Sequence, residues 1–374
     1  MDRDKYQVVG LDKSTMEDPL FDRILGTIYG SVLGDAFEQI LKAYGTNPIP
    51  FPGFLKTSHN SRWPKGDWTD ESDQMIIALE SLLETNGKAC ELNFAKKLQK
   101  WVVSGFSDLG DTCGLGSTSS SIILQSQFVT NPFYISEKTW VTSGRRNSNN
   151  GAISRAIATG LFQYDKMDII TTNSTSFCKT THFDQRCITS NNAISYAIAI
   201  LLNNIESKRS SLNRNEEVDH LIEEIVAKCA NSMTLQERVE FEEIMYNTSL
   251  ESLNLSAPDS ISYVFKSLGA GFWGLRSNYS FKDTLNMIVK EGGDSDSNGS
   301  IAGGLLGCKI GYSHLPKDWI QQLPNKEWLD IKVLIATDDL YIMILAQENY
   351  NNNNKNNNNQ DSNTLNNILT ISTN

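Results

Sequence analysis

The sequence has little positive charge and no long apolar run. Its 33 Lys and Arg residues face 44 Asp and Glu residues, so the formal net charge is −11. Proteins that bind nucleic acid usually present a basic face, and this balance argues against such a partner. No apolar stretch reaches the roughly 20 residues that a membrane-spanning helix needs, and residues 1–5 lack the apolar core of a signal peptide. We therefore expect a protein that binds neither nucleic acid nor membrane.

The sequence also lacks any closely spaced pair of cysteines. Its six cysteines are Cys90, Cys113, Cys178, Cys187, Cys229 and Cys308. Because none of them forms a CxxC pair, they predict neither a zinc site nor a disulfide framework. Scattered free thiols are typical of a reducing compartment, so we expect a cytoplasmic protein.

The alternation of apolar and polar residues that marks a half-buried strand is nearly absent. Apolar residues instead recur at helical spacing, beginning with Ile24, Ile28 and Val32. Glycines on the same segment form a smooth stripe, which predicts close helix packing in a soluble core, and they are Gly26, Gly30 and Gly34. Further helices are predicted over residues 72–84, 92–103, 151–161, 188–202, 215–232, 235–248, 258–275, 281–290 and 299–310.

These helices predict an all-α fold, a single compact orthogonal helical domain that covers residues 21–347. Residues 1–20 form a polar lead-in, and residues 133–150 have the pattern of an irregular segment. Residues 348–374 are almost wholly Asn and other polar types. Such a tract cannot bury enough apolar surface to become ordered, so we expect a disordered tail.

Two short segments, 69–74 and 292–298, combine carboxylates with hydroxyls just before a helical run. These oxygens are hard ligands that suit Mg²⁺, Mn²⁺ or Ca²⁺. The same residue types are preferred helix N-caps, and capping is the simpler interpretation of either segment alone. Each segment supplies several acceptors where a cap needs one, so they predict a metal-centred site if they meet in the fold. The candidates for capping are Thr69, Asp70, Asp296 and Ser297.

Several segments, taken in their order along the chain, resemble the ADP-ribosylglycohydrolase family, which has an all-α fold with a two-metal site. The resemblance covers about residues 22–322 and rests on six segments together. They are Arg23–Ala36, Trp68–Ser72, Asn150–Arg155, Thr181–His182, Gly292–Ser297 and Pro316–Trp319.

The resemblance implies a two-metal cleft that holds two divalent cations, with Mg²⁺ as the expected ion and Mn²⁺ as the alternative. The implied ligands are Thr69, Asp70, Glu71, Asp294, Asp296 and Ser297. An ADP-ribose cleft would be lined by Gly114, Gly116, Ser117, Asn150, Gly151 and His182. Asp70 and Glu71 would polarise the attacking water. The implied activity is metal-dependent hydrolysis of the glycosidic bond between ADP-ribose and a protein side chain or a small conjugate.

Two departures from the family pattern favour an alternative. The chain has Glu71 where the family often has a second Asp, and Lys42 where many members have a Glu seven residues after the position of Asp35. They suggest a catalytically inactive module that binds ADP-ribose or a nucleotide on the same fold. Judged from the residues alone, paired carboxylate clusters also serve phosphoesterases. Arg155 is expected either to contact phosphate or, by default, to pair with a surface acid.

Overall fold

The computed structural model describes residues 18–43, 67–109, 115–204, 214–337 and 340. No strand is present within these ranges, where an isolated antiparallel bridge joins Asn149 to Tyr263. The predicted all-α fold is therefore confirmed. The predicted tail 348–374 and most of the lead-in 1–20 lie outside the described residues, so those two predictions are untested.

The helices begin and end as follows. They are α1 (Pro19–Ala43), α2 (Asp70–Glu84), α3 (Glu91–Ser104), α4 (Ser117–Ile123), α5 (Pro132–Thr142), α6 (Arg155–Leu161), α7 (Met167–Lys179), α8 (Gln185–Asn203), α9 (Arg214–Cys229), α10 (Leu235–Tyr246), α11 (Val264–Arg276), α12 (Phe281–Lys290), α13 (Ser295–Ile310), α14 (Lys317–Gln322) and α15 (326–337). Short 3₁₀ turns cover Ala230–Ser232, Glu251–Leu253, Pro258–Ser260 and Tyr312–His314. None of the described helices is long and apolar enough to cross a membrane.

The predictions for residues 133–150 and 258–275 were wrong. Residues 133–150 were expected to be irregular, but α5 occupies much of this stretch, and Pro132 lies in its first turn, where a missing N–H costs nothing. Few α5 residues are buried, so the helix leaves little apolar periodicity in the sequence. The single helix expected over 258–275 is divided, because the backbone before α11 pairs with another segment. The Val264 N–H donates to the carbonyl of Ser148 at 3.0 Å.

Helices α1 and α13 cross with their backbones in direct contact, as the glycine stripe predicted. A Cβ built on Gly30 would overlap the carbonyl oxygen of Gly303 and lie 3.1 Å from its carbonyl carbon. The other glycines of α1 meet α13 in the same antiparallel order, Gly26 against Gly307 and Gly34 against Gly299. This pairing brings the end of the α1 stripe to the first turns of α13, where the second acidic segment lies.

Helix α6 fills the space between α13 and α8. All of its residues are buried. A Cβ on Gly160 would lie 2.8 Å from the carbonyl oxygen of Ser195 in α8, and a Cβ on Gly304 in α13 would lie 2.6 Å from the Cδ1 atom of Ile157. Close packing on both sides therefore fixes α6, and with it the segment 150–154 that leads into the helix.

The backbone contact between α1 and α13 predicts a specific cost for one added methyl group. Gly30→Ala should lower the free energy of unfolding by about 1–3 kcal/mol, because the new Cβ displaces a backbone rather than a flexible side chain. Helix propensity alone would raise it by about 1 kcal/mol. The measurement is equilibrium urea unfolding followed by circular dichroism.

Gly116→Ala is the control. Gly116 has a φ of −58° and no atom within 4 Å of its built Cβ. Its substitution should change the free energy of unfolding by less than about 0.5 kcal/mol. Equal stability of the two variants would contradict a backbone-to-backbone crossing.

Candidate functional site

The two acidic segments meet in one place. The Ser297 hydroxyl donates to Glu71 Oε1 at 2.6 Å and joins positions 226 residues apart in the chain. The amide of Asn150 adds a third segment, because its Nδ2 atom donates to Asp294 Oδ2 at 3.0 Å. Glu71 and Ser297 are buried, whereas Asp294 is partly exposed. The fold therefore brings segments 69–74 and 292–298 together, which was the condition for the predicted metal site.

Asp35 of α1 anchors the beginning of α2. Its Oδ2 accepts hydrogen bonds from the backbone N–H groups of Thr69 and Ser72, both at 3.0 Å, and from the Ser72 hydroxyl at 2.6 Å. Its Oδ1 accepts from the Thr69 hydroxyl at 2.7 Å. Two of these donors are N–H groups that the first turn of a helix leaves without a partner. Asp35 thus fixes the first acidic segment against α1.

The capping interpretation is right for one segment and wrong for the other. Thr69 is the N-cap of α2, and its side chain accepts from the Glu71 N–H at 3.3 Å. The second helix begins four residues earlier than predicted, at Ser295, so Asp296 and Ser297 lie inside its first turn. Asp294 occupies the N-cap position and makes no side-chain cap bond. The carboxylates of the second segment have other partners, since Asp296 Oδ1 accepts from the Ser297 N–H at 3.1 Å and Asp294 accepts from Asn150.

Burial and mutual repulsion shape the acidity of this cluster. Burial raises the pKa of Glu71 to about 7, even though the hydrogen bond from Ser297 opposes the change. Burial, followed by neighbouring negative charges, raises the pKa of Asp70 and of Asp296 well above the usual range. After burial, the neighbouring Asp294 carboxylate is the largest cause of the raised pKa of Asp296. Carboxylates held this closely cannot all be ionised unless positive charge compensates them.

The donor chemistry of the cluster fits a hard divalent cation. Glu71 Oε2 is buried and accepts no hydrogen bond of acceptable geometry, although the nearby Ser154 hydroxyl lowers the pKa of Glu71. Carboxylate and hydroxyl oxygens are the ligands that Mg²⁺ and Mn²⁺ prefer. Among the described residues, however, no group of three or more His, Cys, Asp or Glu side chains could hold a metal ion as it stands. The two-metal cleft therefore remains a prediction.

Asn150 and Gly151, both predicted to bind substrate, lie beside the acidic cluster. The Asn150 amide also donates to the Ser267 hydroxyl at 2.8 Å, and Ser267 donates to Asn298 Oδ1 at 2.7 Å. A Cβ on Gly151 would lie 3.3 Å from the imidazole of His182, so a side chain there would press on the ring. The fold thus places the His182 ring against Gly151, the residue that follows Asn150.

His182 is buried rather than open to a ligand. It is 2% exposed, and burial lowers its pKa to about 3, so the ring is neutral at physiological pH. Both ring nitrogens are engaged, Nδ1 with the Thr181 hydroxyl at 2.8 Å and Nε2 with Asn149 Oδ1 at 2.5 Å. In this arrangement His182 supports Asn149 and the adjacent segment that is predicted to bind substrate.

The remaining predicted substrate-binding residues lie in or near the glycine-rich loop. Gly114 is outside the described residues. Gly116 and Ser117 are exposed at the beginning of α4, and no described hydrogen bond joins them to the acidic cluster. The next residue of α4, Thr118, is connected to the segment before Asn150, because its hydroxyl accepts hydrogen bonds from Asn147 and Asn149. The role of Gly114, Gly116 and Ser117 in ligand binding stays a prediction.

Arg155 contradicts both of its expected roles. It is 0% exposed, and its guanidinium donates to the side-chain oxygen of Gln74 and to the carbonyl of Phe177. A surface acid was expected because Arg usually lies at the surface. The sequence signal that could have indicated burial is its place in a short helix made otherwise of small and apolar residues.

Fold and site together define an all-α protein in which two acidic segments, distant in the sequence, meet in one cluster. Residues 16–351 match the family model described as ADP-ribosylglycohydrolase, so the chain belongs to the ADP-ribosylglycohydrolase family. Membership in this family supports hydrolysis of an ADP-ribosyl glycosidic bond as the activity of the chain.

Individual proteins and one solved structure are also similar to this chain. An uncharacterised protein of Archaeoglobus fulgidus is 27% identical over 84% of this chain and 94% of its own length. An ADP-ribosylarginine hydrolase of Serratia proteamaculans is 21% identical over 83% and 78%. An ADP-ribosyl-[dinitrogen reductase] glycohydrolase of Rhodospirillum rubrum is 23% identical over 83% and 93%. A solved structure titled "ADP-ribosylglycohydrolase-related protein complex" superposes with a TM-score of 0.59 at 19% identity, covering 87% of this chain and 98% of that one, and shows the shared fold.

The anchoring of α2 by Asp35 predicts a stability loss at Ser72. Ser72→Ala should lower the free energy of unfolding by about 1.5–3 kcal/mol, because it removes a hydrogen bond to a buried charged group. Ser121→Ala is the matched control, since Ser121 is exposed and donates only to the Thr118 carbonyl of its own helix. Equal unfolding free energies for the two variants, measured with urea, would show that Asp35 does not hold this helix.

Proposed function

We propose that this protein is a metal-dependent hydrolase that cleaves the glycosidic bond between ADP-ribose and a protein side chain or a small conjugate. Family membership and the names of the relatives support the substrate class. Metal dependence is supported by the hydrogen bond from Ser297 to Glu71, which joins the two acidic segments next to the unpartnered Glu71 Oε2. That junction is the observation on which the proposal mainly rests.

The proposed cofactors are two divalent cations, Mg²⁺ with Mn²⁺ as the alternative. The residues that would hold them are Thr69, Asp70, Glu71, Asp294, Asp296 and Ser297. The Thr69 and Ser297 hydroxyls each donate their proton to a carboxylate, which leaves oxygen lone pairs for a cation. When bound, the cations would supply Lewis acidity toward ribose hydroxyls and water.

The residues of the chain have separate tasks in this proposal. Glycosidic cleavage passes through an oxocarbenium-like state, which nearby carboxylates stabilise. Asp70 and Glu71 are the proposed groups that polarise the attacking water. Asn150 would hold the Asp294 carboxylate in place through its amide, and the missing side chain of Gly151 would let His182 pack beside this segment.

The alternative is a binding module that does not turn over ADP-ribose. The presence of Glu71 in place of Asp favours it only weakly, because the longer side chain still reaches Ser297 of the second segment. The side chain of Lys42 lies outside the described residues. Two relatives are named for ADP-ribosylarginine and for ADP-ribosyl-dinitrogen reductase, so Arg-linked protein is the proposed first substrate and Ser-linked protein the second.

The test is release of free ADP-ribose from Arg-linked and Ser-linked ADP-ribosylated protein. We expect release with Mg²⁺, loss of release with EDTA and recovery when Mg²⁺ is restored in excess. Tight binding of ADP-ribose without turnover, with Mg²⁺ or with Mn²⁺, would support the binding module. Release of AMP or inorganic phosphate would instead identify a phosphoesterase.

A single substitution tests the assigned site. Asp296→Asn should reduce ADP-ribose release by at least about 100-fold, because removing one carboxylate from a cation site costs several kcal/mol of charge stabilisation. Asp318→Asn is the control, since Asp318 on α14 is exposed and pairs with Lys282 of α12. Release by Asp296→Asn at the wild-type rate would rule out this site.

A further inference from the structure

A chain of hydrogen bonds connects a buried arginine to one carboxylate of the acidic cluster. The Nε and Nη2 atoms of Arg155 donate to Gln74 Oε1 at 3.1 and 2.6 Å. The Nε2 atom of Gln74 then donates to Asp70 Oδ2 at 2.8 Å. Arg155 and Gln74 are both 0% exposed, so neither competes with solvent for these bonds.

The direction of this chain follows from the chemistry of its members. A guanidinium has donors only, so the atom of Gln74 that faces Arg155 must be the amide oxygen. The amide NH₂ group must then face Asp70, where it can only donate. Arg155 therefore determines which way the amide of Gln74 points, and the amide determines one hydrogen bond of Asp70.

Arg155 itself is held on its remaining sides. Its Nη1 atom donates to the Phe177 carbonyl at 2.9 Å, and its guanidinium lies 5.3 Å from the centre of the Phe94 ring. Burial lowers its pKa to about 10, which keeps it charged, and the negative charges of Glu71 and Asp70 support that charge. Within the described residues no carboxylate forms a direct ion pair with it.

The amide spacer has a consequence that a direct ion pair would not have. A guanidinium bound directly to a carboxylate commonly takes both oxygens in a bidentate pair. Here the Gln74 amide takes one oxygen of Asp70, while the positive charge remains close enough to act on Asp70 and Glu71. The amide thus orients the Asp70 carboxylate, and the charge of Arg155 partly compensates the nearby negative charge. The other oxygen of Asp70 is not occupied by the guanidinium.

We propose that Gln74 and Arg155 are positioning residues that hold the Asp70 carboxylate ready to bind a divalent cation. This inference rests on the proposed function, because Asp70 is one of the proposed cation ligands. Groups that orient a ligating carboxylate typically change metal affinity or activity by about 10–100-fold when they are replaced. A role limited to packing α2 against α6 would change stability and leave the cation affinity of the folded protein unaltered.

The test is Mn²⁺ binding to purified, folded protein, measured by the electron paramagnetic resonance signal of free Mn²⁺ in the absence of substrate. Gln74→Met keeps the side-chain length and removes the amide, and it should weaken Mn²⁺ binding by about 10–100-fold. Gln99→Met is the matched control, because Gln99 donates only to the Ile123 carbonyl. It should bind Mn²⁺ with wild-type affinity.

Arg155→Lys keeps the charge, loses the paired donors to Gln74 and provides a second variant if Gln74→Met does not fold. It should also weaken Mn²⁺ binding, with a lower kcat for ADP-ribose release and a smaller change in KM. Wild-type Mn²⁺ affinity in either folded variant would overturn the proposal, as would a wild-type protein that binds no divalent cation. Weakened binding without any ADP-ribose release from the wild-type protein would support the positioning role and reject the proposed hydrolase activity.

Discussion

The rest of the structure depends on the contact between the glycine faces of α1 and α13. Because Gly30 and Gly303 lack side chains, the two backbones approach closely enough to exclude any other residue at the crossing. The antiparallel order then fixes the register of the two helices. Asp35, one residue beyond the α1 stripe, comes to the first turns of α13. A site built from segments more than 200 residues apart therefore depends on a contact that contains no functional group.

The burial of carboxylates opposes this arrangement. Burial raises the pKa of Asp35 to about 6 and of Glu71 to about 7, so both carboxylates are held where their charged forms are disfavoured. The structure offsets part of this cost with the hydroxyls of Thr69, Ser72 and Ser297, which all donate to these two acids. The hydroxyls do not neutralise the negative charge of the carboxylates. A bound divalent cation would reduce the repulsion between them, and for this reason the cluster is a candidate for cation binding.

Features with a local sequence pattern could be predicted, whereas features that depend on distant segments could not. The close packing of the α1 glycine stripe and the cap of α2 at Thr69 were predicted correctly, since each has a local pattern that is visible without its partner. The beginning of α13 was predicted four residues too late, and the interruption before α11 was not predicted, because that interruption depends on a distant backbone. Val264 donates to Ser148, and this bond leaves no mark on either local sequence. Asp35 and Gln74 were absent from the predicted site for the same reason.

The sequence by itself determined the all-α class and the two acidic segments, because helix periodicity and ligand-rich motifs are encoded within a few neighbouring residues. Only the tertiary structure decided that Arg155 is a buried donor to Gln74 and that His182 is a neutral group supporting Asn149. The physical reason is burial. The protonation state and the partners of a polar side chain follow from the desolvation and the hydrogen bonds that distant segments impose on it, and these exist only after the helices have packed.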